Sequence, residues 1–172
     1  ESYGQNLQRL GKELMTENGL LTEQGSSTFW DRSTLYALRG IYIAGQADRA
    51  TEFLSHYARR RLLGDHVPYP IEAWPEGSQR HLAAESGLFC RVITEGLFGI
   101  RPTGFRSFDL TPSMPSGWNR MALRHIRAFE NNFDLVIEKQ PDGFLRVTLA
   151  ISGRNPRAFR LRQGASLRIK LP

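Results

Sequence analysis

The stretch that decides the fold is residues 69–100, which read Y-P-I-E-A-W-P-E-G-S-Q-R-H-L-A-A-E-S-G-L-F-C-R-V-I-T-E-G-L-F-G-I. Its first part predicts a loop, because Pro70 and Pro75 disfavour a helix and Gly77 permits a turn. Its second part predicts an apolar helix that Gly99 ends in a left-handed cap. Helical periodicity precedes this stretch and strand periodicity follows it, so the sequence predicts an α+β protein.

Four helices are predicted before residue 100, because apolar side chains recur there at intervals of three and four residues. Their expected spans are 3–17, 30–44, 47–63 and 79–98. Only Gly45-Gln46 separates the second helix from the third, which predicts an antiparallel helical hairpin. Four such helices beside a long loop do not close a bundle, so we expect them to belong to a larger helical array.

After residue 100 the apolar period falls to two, which predicts strands. The expected strands are 105–110, 121–129, 133–137, 145–151, 158–162 and 167–171. Turn signals at Pro141-Asp142-Gly143 and at Gln163-Gly164 predict two hairpins, one between the third and fourth strands and one between the last two. We expect three aromatic side chains in the core of this β part, namely Phe105, Phe108 and Trp118.

The composition is that of a globular protein, with 40% hydrophobic and 23% charged residues. No apolar run approaches the roughly 20 residues that span a bilayer, so no membrane partner is expected. The single cysteine, Cys90, excludes an internal disulfide. Asp65-His66 lacks further ligands at metal-binding spacing, so we expect neither a metal nor a cofactor. The chain does not begin with Met, and we expect a processed or truncated product.

The net charge of +6 makes a nucleic-acid or acidic-polymer binder one hypothesis to test. The basic residues concentrate in Arg59-Arg60-Arg61 and in the last strands. In Leu167-Arg168-Ile169-Lys170 they alternate with apolar residues, which is typical of a solvated strand face. No zinc spacing, RNA-binding aromatic motif or helix-turn-helix pattern accompanies them, so we expect no nucleic-acid partner.

The order of motifs resembles the C-terminal end of the six-hairpin glycosidases, and of bacterial α-L-rhamnosidases in particular. The residues that carry this resemblance, within about 47–139, are Glu72 and Trp74 in the loop, His81 in the helix, Gly99-Ile100 in the turn and Gly104-Phe105 in the strand. The chain departs from that family at Ile71, where a Trp is usual, and at Gln79-Arg80, where an Asn is usual before the His. The resemblance therefore implies an architecture rather than a specificity for rhamnose.

The resemblance implies that residues 1–100 are the last helices of an (α/α)6 barrel and that residues 101–172 form an antiparallel, β-sandwich-like domain. It implies inverting hydrolysis of a carbohydrate substrate, with Glu72 as the base and a general acid supplied from upstream of this chain. The rest of the same polypeptide, or another chain, would complete the barrel. The residues themselves indicate no cellular compartment, and the resemblance implies a periplasmic or secreted bacterial protein.

Each candidate in the loop also has a structural interpretation. Glu72 is either the base or a carboxylate paired with Arg80, and Glu76 is either a reserve base that binds substrate or a surface group. Trp74 either stacks on a sugar face or anchors the loop by packing.

The candidate residues in the predicted helices also have two interpretations each. His81 and Glu85, four residues apart on one helix face, either bind sugar hydroxyls or form a helix-stabilising contact. Trp30 opens a helix where substrate-facing residues of such barrels gather, whereas Asp31 is expected to be an ordinary helix N-terminal residue. Glu95 is expected to pair with an arginine. A non-catalytic carbohydrate-binding module is the main rival to the enzyme.

Overall fold

A computed structural model describes residues 2–63, 71–74 and 83–172. Within them the protein is α+β, as predicted, with helices in the first part and antiparallel sheets in the second. The chain divides into two compact units, Glu1–Leu97 and Phe98–Pro172.

Helices make up most of the first unit. They are α1 (Ser2–Glu13), α2 (Asp31–Ile43), α3 (Ala47–Arg61) and α4 (Ala83–Arg91), and α4 is followed by a π-helix (Val92–Leu97). The first predicted helix is four residues too long, because the chain turns back after α1 to pair β1 (Met15–Thr16) with β2 (Gly19–Leu20). The start of the fourth predicted helix lies outside the described residues.

The α2–α3 hairpin is antiparallel, as predicted from its short connection. Tyr42 near the end of α2 shares a hydrogen bond of 2.9 Å with Thr51 near the start of α3. At the opposite end, Asp31 at the start of α2 pairs with Arg61 at the end of α3. The apolar stripe of α2 that lies against its neighbours is almost fully buried at Leu35, Leu38, Ile41 and Tyr42.

A short strand pair joins the residues just before α2 to the predicted loop that carries Trp74. β3 (Phe29–Trp30) runs antiparallel to β4 (Ala73–Trp74), with Phe29 opposite Trp74. The pair brings the loop part of the 69–100 stretch to the start of α2, and so positions Glu72 and Trp74 beside Asp31.

The second unit contains seven strands in two antiparallel sheets. They are β5 (Ile100–Gly104), β6 (Ser107–Leu110), β7 (Arg120–Ala128), β8 (Asn131–Lys139), β9 (Phe144–Ile151), β10 (Arg157–Arg162) and β11 (Leu167–Lys170). One sheet has the order β10-β9-β8-β7 and the other the order β11-β6-β5. Phe108 of β6 stacks on Phe133 of β8, with ring centres 6.0 Å apart, so side chains of the two sheets share one core.

The predicted hairpin between β8 and β9 is confirmed, with Gly143 of its turn at φ 81°. The predicted hairpin between β10 and β11 is wrong. β10 pairs with β9 whereas β11 pairs with β6, so the segment around Gln163-Gly164 passes from one sheet to the other. Strand periodicity gives no information on which partner a strand takes, since that choice is made by the apolar faces available in the folded unit.

Two of the three predicted core aromatics are also wrong. Phe108 is fully buried, but Phe105 is 97% exposed and Trp118 is 39% exposed. Phe105 follows β5 at a tight turn into β6, and its side chain lies outside the alternation that directs Phe108 inward.

Candidate functional site

A buried ion pair lies at the centre of the candidate site in the first unit. Arg61 Nε donates to Asp31 Oδ1 over 3.0 Å, and both side chains are almost completely excluded from solvent. Asp31 Oδ2 accepts the backbone N–H of Ile71 over 3.2 Å, and Arg61 Nη2 donates to the carbonyl oxygen of Asn18 over 2.7 Å. Removing one partner of such a pair costs about 3–5 kcal/mol, because an uncompensated charge stays buried.

Asp31 is therefore more than the helix N-terminal residue that the sequence predicts. It is the first residue of α2, and its carboxylate accepts hydrogen bonds from Arg61 and from the backbone N–H of Ile71. Burial raises the pKa of Asp31, although the charge and the hydrogen bond of Arg61 oppose the rise.

The Trp74 ring lies over the same arginine. The Arg61 guanidinium carbon is 4.6 Å from the ring centre, that of Arg60 is 5.5 Å away, and the Phe29 ring packs at 5.7 Å. A guanidinium at these distances is attracted to the electron-rich face of an indole. Trp74 is thus held by packing, and one part of its surface is already occupied by protein groups.

Tyr57 lies deep beside this ion pair, with 3% of its surface exposed. Burial raises the pKa of Tyr57 strongly, and the neighbouring Asp31 carboxylate adds to the rise. Among the described residues its hydroxyl has no hydrogen-bond partner of ordinary geometry. The phenol therefore stays neutral and keeps a polar hydroxyl against Asp31.

A second ion pair connects α2 to α4. Arg32 Nε donates to Glu85 Oε1 over 2.8 Å, and Arg32 Nη2 lies 2.8 Å from the same oxygen. Glu85 lies in the first turn of α4, where a carboxylate is favoured by the helix dipole, and it is fully buried. Its other oxygen, Oε2, has no hydrogen-bond partner within the part of the chain that is described.

Glu72 lies close to this second pair. Its carbonyl oxygen accepts the backbone N–H of Asp31 over 3.1 Å, which fixes the peptide next to β4. The pKa of Arg32 is raised chiefly by Glu85, and the charge of Glu72 contributes to the same rise. Arg32, with 44% of its side chain exposed, therefore lies near two carboxylates.

The sequence candidates are distributed as follows. The structure brings Glu72, Trp74 and Glu85 together around Asp31 and Arg32. Trp30 is opposite Ala73 in the strand pair and remains 45% exposed. Glu76, His81 and the proposed partner of Glu72, Arg80, lie outside the described residues.

Three contributors were missed by the sequence analysis, namely Arg32, Tyr57 and Arg61. Arg61 was hidden in a run of three arginines that is typical of a solvated helix end. Arg32 directly follows Asp31, and Tyr57 precedes Arg61 by four residues. Neither position by itself indicates any chemistry. One expectation from the same region is confirmed, since Glu95 pairs with Arg39 over 2.7 Å and with Arg91 over 3.0 Å.

The arrangement combines acceptors, a fixed donor and aromatic surface. Carboxylate oxygens accept hydrogen bonds from hydroxyl groups, a guanidinium donates to them, and an indole covers an apolar face. These are the groups that a neutral, polyhydroxylated ligand requires from a binding site.

Three further observations bear on function. No group of three or more His, Cys, Asp or Glu side chains suited to a metal ion occurs in residues 2–63, 71–74 and 83–172. None of the helices within those ranges has the length and apolar character needed to cross a bilayer. A scan against protein-family models, a search of curated proteins and a search of solved structures found no match to this chain.

Proposed function

We propose that the chain is the C-terminal part of a glycoside hydrolase that cleaves glycosidic bonds by inversion. The observation that carries the proposal is the position of Glu72, which is fixed through its carbonyl oxygen beside Trp74 and lies close to the Arg32–Glu85 pair. In this proposal α2, α3 and α4 are the last helices of an (α/α)6 barrel, and the seven strands of the second unit are a β-sandwich-like accessory domain.

In the proposed reaction Glu72 is the general base. An inverting enzyme activates a water with one carboxylate and protonates the leaving oxygen with a second carboxyl group about 6.5–9.5 Å away. The general acid would come from sequence upstream of this chain.

The remaining site residues would bind the sugar. Trp30, with nearly half of its surface exposed, and the free part of Trp74 would provide apolar surface for the C–H faces of a pyranose. Arg32, which is partly exposed and held by the buried Glu85, would donate to a sugar hydroxyl. Glu76 and His81, outside the described residues, would provide further hydrogen bonds to the sugar. No cofactor is required for this chemistry.

The proposal also requires a partner for the helical unit. Tyr36 and Ile43 are seven residues apart, hence on one stripe of α2, and they are 49% and 56% exposed. An apolar stripe of this kind suits further helices, supplied by the rest of the polypeptide or by another chain. The intact mass of the natural gene product checks this requirement: a mass of 19.6 kDa would exclude a complete barrel from one chain.

Glu72→Gln tests the chemistry in the complete natural protein. With a panel of aryl glycosides that includes an α-L-rhamnoside, we expect kcat to fall by about 10²–10⁴-fold, because an amide cannot accept the proton from water. KM should change little. Glu23→Gln, at an exposed carboxylate of the same unit, is the matched control. Unchanged turnover in Glu72→Gln, or no hydrolysis of any glycoside by the wild type, contradicts the proposal.

A non-catalytic carbohydrate-binding module is the second candidate, and the exposure of Trp30 favours it. Such a module would bind the same sugars in wild-type and Glu72→Gln forms without releasing product. Calorimetric titration with the unmodified glycans separates this candidate from the enzyme.

A further inference from the structure

We propose that Asp31 and Arg61 form a clamp that positions Glu72 and Trp74 without touching the ligand. The clamp is defined by these two side chains and their contacts with residues 71–74. The positioning itself is independent of any activity, whereas its consequence for turnover rests on the proposed function.

Asp31 holds the backbone on either side of the 71–72 peptide, once through its own backbone and once through its side chain. Its backbone N–H donates to the carbonyl oxygen of Glu72 over 3.1 Å, and its carboxylate accepts the N–H of Ile71 over 3.2 Å. A hydrogen bond to a charged acceptor is about twice as strong as one between neutral groups. These two hydrogen bonds therefore fix the backbone on both sides of the Glu72 Cα atom.

Arg61 supports the neighbouring aromatic. Its guanidinium lies 4.6 Å from the centre of the Trp74 ring, and its orientation is fixed by Asp31 and by the carbonyl oxygen of Asn18. Arg60 also approaches the ring, at 5.5 Å, but its side chain belongs to an exposed residue and is not paired with Asp31. Of the two arginines, Arg61 has the fixed geometry that a support requires.

The alternative is that the ion pair only holds the α2–α3 hairpin together. The hairpin is also fastened by the Tyr42–Thr51 hydrogen bond and by the buried Leu35, Leu38 and Ala50. Loss of the clamp should therefore release residues 71–74 while the hairpin remains closed. Loss of a merely structural pair should loosen the whole hairpin.

Hydrogen–deuterium exchange in the full-length protein distinguishes a clamp on residues 71–74 from an ion pair that only holds the hairpin together. In Asp31→Asn the charged acceptor is lost and the shape is kept, so we expect the amides of residues 71–74 to exchange about 10–100-fold faster. Exchange of the interior amides of α2 and α3 through local opening should keep its rate, whereas their exchange through global unfolding should rise with the lost stability. Unchanged exchange at 71–74, or an equal rise throughout the hairpin, overturns the clamp.

Arg61→Lys is the second variant, for the case that Asp31→Asn does not fold. It keeps a charge opposite Asp31 and removes the planar group beneath Trp74. We expect faster exchange at 71–74 and a changed near-ultraviolet signal from the indole, neither of which Arg60→Lys should produce. Equal effects of Arg60→Lys and Arg61→Lys overturn the assignment of the support to Arg61.

Kinetics connect the clamp to the proposed reaction. Misplacing the base should lower kcat by about tenfold or more in Asp31→Asn and alter KM much less. If Glu72→Gln leaves turnover unchanged while Asp31→Asn still frees residues 71–74, the proposed function fails and the clamp stands. If exchange at 71–74 is unaffected, the clamp fails whatever Glu72→Gln does.

Discussion

Gly99, the second residue of the second unit, lies in close contact with the backbone of Thr111. Its φ is 65°, a conformation that side-chain-bearing residues adopt at a cost, and its carbonyl oxygen accepts the N–H of Thr111 over 3.0 Å. A Cβ at this position would lie 1.9 Å from the carbonyl oxygen of Thr111. The left-handed glycine predicted after the helix is confirmed, and the close approach of Thr111, the residue after β6, adds a second reason for it.

Gly99→Ala should lower the free energy of unfolding by more than about 2 kcal/mol, because both the positive φ and the backbone clash must be relieved. Gly143→Ala is the matched control, since Gly143 also has a positive φ but no atom lies within 4 Å of its ideal Cβ. We expect that control to lose only about 1 kcal/mol. Urea denaturation followed by circular dichroism measures both, and equal losses would contradict the clash.

Arg61 is an example of a residue whose burial and pairing the sequence does not indicate. In the run Arg59-Arg60-Arg61 the three side chains are chemically identical, yet Arg61 alone is buried, at 1% exposure. Arg61 differs from the other two because it lies on the helix face toward Asp31 and because Trp74 of β4 packs over it. Both depend on contacts between segments, so helical periodicity identified α3 but could not identify its one buried charge.

Three strands share a row of charges in the smaller sheet of the second unit. Asp109 on the central strand β6 is opposite Arg168 of β11 and Arg101 of β5. Arg168 donates from Nε and Nη2, the latter over 3.1 Å, and Arg101 donates over 3.2 Å. The hydrogen bonds from Arg168, followed by those from Arg101, lower the pKa of Asp109 from its ordinary 3.8.

Asp109→Asn should therefore reduce the loss of stability in acid. A carboxyl whose pKa is lower in the folded state stabilises the fold above its ordinary pKa of 3.8, and this stabilisation disappears as the pH falls through the lower folded value. The difference in unfolding free energy between wild type and variant should be largest at neutral pH and shrink below about pH 4. Denaturation curves from pH 7 to pH 2 measure it, with Glu23→Gln as the control. A constant difference across this range would contradict the role of Asp109.

Ion pairs of this kind neutralise part of the basic surface of the second unit. Arg101 and Arg168 are paired with Asp109, Arg124 with Asp134, and Arg160 with Asp142. Alternation along the last strands predicted Arg160 and Arg168 on a polar face, but the acidic partners of these arginines come from other strands and turns. The expectation that no nucleic acid binds there stays a prediction, and a shift assay in rising salt would check it.

At the scale of the whole molecule, more of the exposed large apolar side chains among the described residues lie in the helical unit than in the β unit. Trp30, Tyr36, Ile43 and Leu63 lie in the first unit, whereas Phe105 and Trp118 lie in the second. The sequence predicted helices that need neighbours from the number and pattern of its apolar stripes. It could not predict which stripe lacks a neighbour, because that depends on how α2 is rotated against α3 and the π-helix.

Replacing Tyr36 and Ile43 by serine together tests whether further helices cover them. In the isolated 172-residue chain the double variant should bind less of an apolar fluorescent dye and remain equally stable. In the complete natural protein it should lower Tm by several degrees, because truncating buried apolar side chains costs about 2–5 kcal/mol each. Phe105→Ser, at a side chain that is almost fully exposed, is the control. An unchanged Tm in the complete protein would contradict coverage of this stripe.

The β11-β6-β5 sheet has a consequence for synthesis of the protein. It combines the first two strands of its unit with the last one, and the paired residues Asp109 and Arg168 are 59 positions apart. During translation β5 and β6 leave the ribosome early, and β6 then waits with one edge unpaired until β11 has emerged. The larger sheet forms from neighbouring hairpins and can be complete by then, so closure of the smaller sheet is expected to be the slow step. An unpaired strand edge in a nascent chain is a site for chaperone binding or for misassociation with a neighbouring copy.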